Sequence, residues 1–239
     1  MTRLTILCLA SLSWATSLID PLQAKPAEAS VQQSDHIDMI VTDQMDASNL
    51  PGVAVAVVQN GEVTKLSGYG LANLEWNARV DPDTRFQLAS ATKIFTAVAL
   101  MRLVEQRRLT LDQPVTDFVP EFSRLTVAVD PETSLDARPV QTAMTMRHLL
   151  THTAGLGYNI IQKGPIKKAY DDAGIVGGSA SRLPIPGMAP VTPAPSLAAM
   201  ADRLATLPLI YEPGTQWSYS ISLDLLGRVI EVVSGQSFE

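Results

Sequence analysis

The sequence predicts a chain of mixed α and β structure that opens on an antiparallel sheet and continues largely in helices. Three observations carry this. Residues 53–58 form a Val-rich run, Asn60-Gly61 is the strongest short-range signal for a two-residue hairpin, and residues 62–68 return as a second strand. From Ser90 to Gln106 the residues are apolar almost all round a helix. Later segments carry apolar residues at helical spacing between cap and stop signals.

Taken in order, a helix is expected over 34–47, with Ile37, Ile40, Val41 and Met45 near one face and Pro51-Gly52 ending it. The run at 53–58 is continuous rather than alternating, which predicts a strand buried on both faces. The helix over 90–106 is expected in the middle of a domain, with Arg107 and Arg108 suiting the negative end of its dipole. Residues 111–119 mix apolar residues with Asp and Pro and read as irregular. Thr145 is the expected N-cap of a short helix through Leu150, and Gly155 ends the loop after it. Residues 162–196 are rich in Gly, Pro, Ala and Ser and read as a long surface excursion of the kind that walls a pocket. Ser196 caps another helix, Pro213-Gly214 makes a turn, and a last helix over 222–233 stops at Gly235. No internal repeat is visible.

The 239 residues suffice for one large domain or two small ones. Hydrophobic residues make up 46%, charged residues 18%, and the net charge is −6. Such a chain can bury a sizeable core and has no basic patch for nucleic acid; Lys167-Lys168 reads as a solvated pair. The N-terminus reads as an export signal. Arg3 precedes an uncharged, mostly apolar run over 4–19, and Ala24 or Ala29 precedes the cleavage point. The run is too short and too rich in Ser and Thr for a membrane span. A signal peptide over 1–24, with cleavage as late as 29, predicts a periplasmic or secreted protein without a membrane span. The single cysteine, Cys8, lies inside this leader, so the mature chain has neither disulfides nor thiolate metal ligands. His148 and His152 are four apart but lack an H-E-x-x-H setting, so no metal site is expected.

Ser90 and Lys93 are the first candidates for chemistry. Three residues apart on a helix, both side chains can face one cleft. A serine hydroxyl is a weak nucleophile until a base takes its proton. Lysine serves if burial and the positive end of the helix lower its pKa, and backbone N–H groups at that end can stabilise an oxyanion. Ser-x-x-Lys by itself is common, and most cases are a cap followed by a surface lysine. Here the lysine opens an apolar helix, where an idle charge is costly. Tyr219, in Trp217-Ser218-Tyr219-Ser220-Ile221, is a second candidate for proton transfer, against the simpler reading of an aromatic cluster. His152 reads either as a general base for Ser90 or, the favoured reading, as a polar residue tying a loop to the sheet. No G-x-S-x-G elbow is present.

These segments together resemble the serine β-lactamase and penicillin-binding-protein superfamily, closest to the class C-like carboxylesterases called family VIII. Ser90-Ala91-Thr92-Lys93 resembles the family's Ser-x-x-Lys. The segment from Met146 to Leu156 resembles Leu-Leu-Thr-His-Thr-Ser-Gly-Leu. Tyr211-Glu212-Pro213-Gly214 resembles the turn before the tyrosine motif, and Tyr219-Ser220-Ile221 sits where the family has Tyr-x-Asn. The resemblance runs from about residue 50 to the end. It implies one β-lactamase/transpeptidase-like domain over 30–239, with an antiparallel sheet flanked by helices and a helical region beside it.

It also implies a serine hydrolase with Ser90, Lys93 and Tyr219 as catalytic residues, an acyl-enzyme, a small-molecule ester or amide substrate, and no metal or organic cofactor. Ile221 in place of asparagine favours carboxylesterase action on small or medium acyl esters over a β-lactamase or D-alanyl-D-alanine carboxypeptidase. Family members continue past the position of Glu239 with further strands, a third motif and an oxyanion-hole N–H. A chain ending there is expected to leave a sheet edge exposed and to be unstable or inactive alone, or to be a non-catalytic binding relative.

Overall fold

The computed structural model describes residues 31–177 and 192–238, so the leader expected over 1–24 lies outside the described residues. The chain divides into two compact units, Met1–Phe86 and Gln87–Glu239.

The first unit contains helix α1 (Val31–Ser48) and an antiparallel sheet of β1 (Gly52–Gln59), β2 (Glu62–Asn73) and β3 (Ala78–Arg79), in that order. Gln59 pairs with Glu62 across the expected two-residue turn. Asn60 and Gly61 take φ of 52° and 83°, the doubly left-handed geometry that matches the twist of a hairpin. The expectation of a strand buried on both faces is not met. Val53, Val55 and Val57 are half-buried, while Ala54, Ala56 and Val58 are exposed. The run reads as continuous because alanine is apolar yet small enough for an open face. Lys65 pairs with Asp38 of α1 at 2.7 Å, and the Tyr69 hydroxyl donates to the same carboxylate, tying helix to sheet.

The second unit begins with a 3-10 turn, Ala89–Ala91, that runs into α2 (Thr92–Glu105). A two-stranded antiparallel sheet follows, β4 (Thr126–Ala128) and β5 (Ala137–Pro139), then α3 (Met146–Leu150), α4 (Gly164–Asp172), α5 (Leu197–Leu204) and α6 (Ser222–Ser234). Helices α2, α3 and α5 all pack on α6. The face α6 turns to them, Leu223, Leu225, Leu226, Val229, Ile230 and Val233, is buried. Leu100, Met146, Leu149 and Leu204 meet it in one core. Each such side chain contributes about 2 kcal/mol of burial.

The expected caps form. Thr145 Oγ1 accepts the His148 N–H, and His148 Nδ1 accepts the Thr145 N–H, both at 3.3 Å, so histidine stands where a capping box usually has Glu or Gln. Ser196 Oγ accepts the Ala199 N–H at 3.1 Å, and Gly235 ends α6 at φ 73°.

Two expectations for this unit need correction. Helix α2 is not buried all round. Thr96, Leu100 and Leu103 form its buried strip, whereas Ile94 and Phe95 are 66% and 63% exposed and Val98 and Met101 are also open. An apolar circumference allows burial on every side, but packing on α6 covers one side only. Of residues 162–196, 178–191 lie outside the described residues, and the described part is not a surface excursion throughout. It opens with α4, whose Ile166 and Tyr170 are fully buried, followed by buried Ile175. Composition hid a helix whose few large residues all face inward.

Candidate active site

Backbone pairing between two distant stretches builds the site. Leu209 pairs with β4, donating to Thr126 O and accepting from Ala128 N, both at 2.8 Å. The chain then runs beside residues 152–157. Ile210 donates to Gly155 O, Gly214 to Thr153 O, Ser218 to His152 O and Ile221 to Gly157 O, at 2.8–3.2 Å. This ladder fixes the Tyr219 segment before it enters α6. Gly155 is required in it. At φ 79° its Cα lies so close to the Tyr211 backbone that an added Cβ would stand 2.2 Å from Tyr211 O.

Ser90 sits exposed in the 3-10 turn, one residue after Ala89, which holds φ at 46°. A left-handed alanine costs about 1–2 kcal/mol, so strain is stored directly beside Ser90. Lys93 lies one residue into α2, half-buried. The Tyr219 hydroxyl donates to Ser90 Oγ at 2.7 Å, and Lys93 Nζ lies 5.1 Å from the Tyr219 ring centroid and 5.8 Å from that of Tyr158. The three residues singled out from the sequence therefore meet at one place, with the phenol rather than the lysine touching the serine.

The expectation of a lowered lysine pKa is reversed. Burial pulls Lys93 down, but its interaction with the Tyr219 hydroxyl and the charge of Asp224 outweigh that and hold it above the usual lysine value. Burial is too partial to win against two favourable partners.

A cleft of about 410 Å³ opens beside these groups, lined among others by Ser90, Lys93, Thr96, Tyr158, Gly177 and Asp224. Sequence reasoning missed Tyr158 and Asp224. Asp224 lies in the first turn of α6, and its carboxyl pKa is raised by burial, against the pull of Lys93. Burial also raises the Tyr158 phenol. The fully buried Tyr170 of α4, pushed up to about 12 by burial, accepts the Gly157 N–H at 2.8 Å and so supports the loop that carries Tyr158. An acidic residue in the turn of an apolar helix that follows a tyrosine motif is the one signal that marks Asp224.

His152 is not in contact with Ser90 through any hydrogen bond described. Its Nδ1 accepts the Ser220 N–H at 3.2 Å and lies 3.1 Å from Ser220 Oγ, and its ring packs 4.8 Å from that of Tyr219. Its backbone carbonyl accepts from the Tyr211 hydroxyl at 3.1 Å. It thus ties a loop to the tyrosine segment rather than to a strand. Among the described residues no group of three His, Cys, Asp or Glu is arranged to hold a metal, and no helix is long and apolar enough to cross a membrane.

Residues 37–239 match the family described as Beta-lactamase. The chain belongs to that family. Relatives include Esterase EstB of Burkholderia gladioli, 35% identical over 200 residues, which are 84% of this chain and 45% of that protein. Acyltransferase calJ of Penicillium decumbens is 32% identical over 184 residues, 76% of this chain and 39% of that protein. Among solved structures, EstCE1, a hydrolase with promiscuous acyltransferase activity, superposes with a TM-score of 0.68 at 27% identity, over 86% of this chain and 48% of that one. The family fold is therefore the β-lactamase/transpeptidase-like one, and the chain spans less than half the length of these relatives.

Proposed function

We propose that the protein is a serine hydrolase of the carboxylesterase type and that Ser90 is its nucleophile. The observation that carries this is the Tyr219 hydroxyl on Ser90 Oγ at 2.7 Å, with Lys93 beside the same phenol. Ser90 Oγ attacks the ester carbonyl carbon and gives its proton to the Tyr219 oxygen as the Tyr219 hydroxyl passes its own proton to a deprotonated Lys93 amine. The tetrahedral intermediate collapses, the C–O bond to the alcohol breaks, and the proton passes to the departing alkoxide. Water then adds to the acyl-enzyme, and the same pair takes up its proton. Lys93 is held above its ordinary value, so it serves as the base only after losing its own proton.

Ile221 favours an ester over a β-lactam. Its side chain is completely buried in the core and offers the cleft no amide. The names of the relatives add a second reading, in which an alcohol rather than water accepts the acyl group from Ser90. The leader over 1–24 supports export to the periplasm or beyond.

The test uses the full-length protein. Turnover of p-nitrophenyl butyrate should exceed that of nitrocefin, and a fluorophosphonate should add to Ser90 as read by peptide mass spectrometry. Adding an alcohol acceptor during ester turnover should divert part of the acyl group into a new ester if the second reading holds. Nitrocefin turnover without ester turnover, or no adduct on Ser90, overturns the esterase assignment.

A further inference from the structure

His152 lies beneath Tyr219 without touching the serine, and its hydrogen bonding fixes its protonation state. Nδ1 accepts the Ser220 backbone N–H at 3.2 Å. It therefore carries no proton, and the neutral ring keeps its proton on Nε2. Ser220 Oγ lies 3.1 Å from the same nitrogen and 2.6 Å from Ser222 Oγ. Ser220 and Ser222 are both buried, at 1% and 0% exposure, so no water replaces a lost partner there. Ser220 is the residue that follows Tyr219, and Ser222 opens α6. The imidazole also packs against the Tyr219 ring at 4.8 Å and edge-on to Trp217 at 6.3 Å.

We propose that His152 is a pH-sensitive positioning residue: as a neutral imidazole it clamps Ser220 through Nδ1 and backs the Tyr219 ring, holding the phenol on Ser90. A proton on Nδ1 sets a donor against the Ser220 N–H. The clamp then opens, and Tyr219 loses the support that keeps its hydroxyl 2.7 Å from Ser90 Oγ. Among the described residues, the titratable groups about His152 are Lys93 on α2, whose charge acts on the ring, the Tyr219 phenol packed on it, and the Tyr211 hydroxyl bonded to its backbone carbonyl. Burial holds the imidazole below its usual pKa, and the Lys93 charge adds to that. The clamp is therefore closed at neutral pH and opens only in acid.

The inference rests on the proposed role of Ser90, so its test reads both reactivity and the ring itself. In the full-length protein, the rate at which a fluorophosphonate labels Ser90 is measured between pH 4.5 and 8. Unaltered protein should lose about tenfold per pH unit below the His152 pKa. His152→Ala should label at least tenfold more slowly at pH 7.5, and in ester turnover the loss should fall on kcat rather than KM. His152→Asn is the conservative variant. Its side-chain oxygen can stand where Nδ1 stands, it does not titrate, and asparagine tolerates the φ of 55° found here. It should recover the rate to within threefold at pH 7.5 and lack the histidine limb. An acid limb unchanged in His152→Asn belongs to another group, Lys93 first, and overturns the proposal.

Nitrogen NMR of labelled histidine supplies the second readout. A proton on Nε2 at pH 7.5, with Tyr219 ring signals that move with His152 titration, supports the clamp. A proton on Nδ1 overturns it. If Ser90 is never labelled at any pH, the hydrolase reading fails, while the NMR result still decides the clamp.

Discussion

At the scale of single residues, the charge balance at Lys93 decides how Ser90, the proposed nucleophile, would be activated. Lys93 is held protonated by the Tyr219 hydroxyl and by Asp224 across the cleft. A lysine that keeps its proton at neutral pH is a weak base there, and the fraction able to accept a proton grows as the pH rises. Removing the Asp224 charge weakens the hold on the lysine proton, so the pair deprotonates more readily. Asp224→Asn should therefore shift the alkaline rise of Ser90 labelling to lower pH and raise the labelling rate just below the original rise. A pH–rate profile of fluorophosphonate labelling for both proteins measures this. An unchanged profile shows that Asp224 exerts no field on the pair. The Ser90-x-x-Lys93 spacing was legible because it is local. The Asp224 contribution was not, because it depends on α6 folding back against α2.

At the scale of elements, the ladder between 152–157 and 209–221 turns a string of motifs into a site. What the sequence disclosed here was chemistry completed within a few residues: the Asn60-Gly61 turn, the Thr145 and Ser196 caps, and the Gly235 stop. What it concealed was which face of an element finds a partner. Val53, Val55 and Val57 alternate with exposed alanines, and α2 leaves Ile94 and Phe95 in the open. Gly155 belongs to both groups. It reads from sequence as a loop end, yet its deeper role is the close passage of Tyr211. Gly155→Ala places a methyl group against a backbone oxygen at a left-handed φ, so the ladder must part. It should cost roughly 2–4 kcal/mol in urea unfolding, combining overpacking with positive-φ strain. Ser90 labelling should fall with it, since Tyr219 hangs from the same ladder. A loss of stability below 1 kcal/mol would show that the two stretches separate easily.

At the scale of the whole molecule, acid should unfold the chain in two stages, because two sets of groups bind protons differently in the folded and unfolded states. His148 and His152 both sit below the usual histidine pKa, chiefly through burial. The stability tied to their neutral forms is complete above the unfolded value of about 6.5 and is lost as pH falls through the folded values. Both histidines use Nδ1 as a backbone acceptor, at Thr145 and at Ser220, so each proton also removes a hydrogen bond. Glu212 supplies the second stage. Its own burial opposes ionisation, but Arg138 and the Gln141 and Thr142 N–H groups hold its carboxyl below the usual range. Asp112 beside Arg147 and Asp130 beside Thr133 are lowered as well. Their contribution persists down to about pH 4 and is lost below it, whereas Asp224, raised by burial, works the other way. Melting temperatures should therefore decline as pH falls below about 6.5, level off once both histidines are protonated, and fall again below about 4. Replacing His148 with Gln and His152 with Asn should remove the first decline and leave the second. A first decline that survives both substitutions would assign it to groups other than these two histidines.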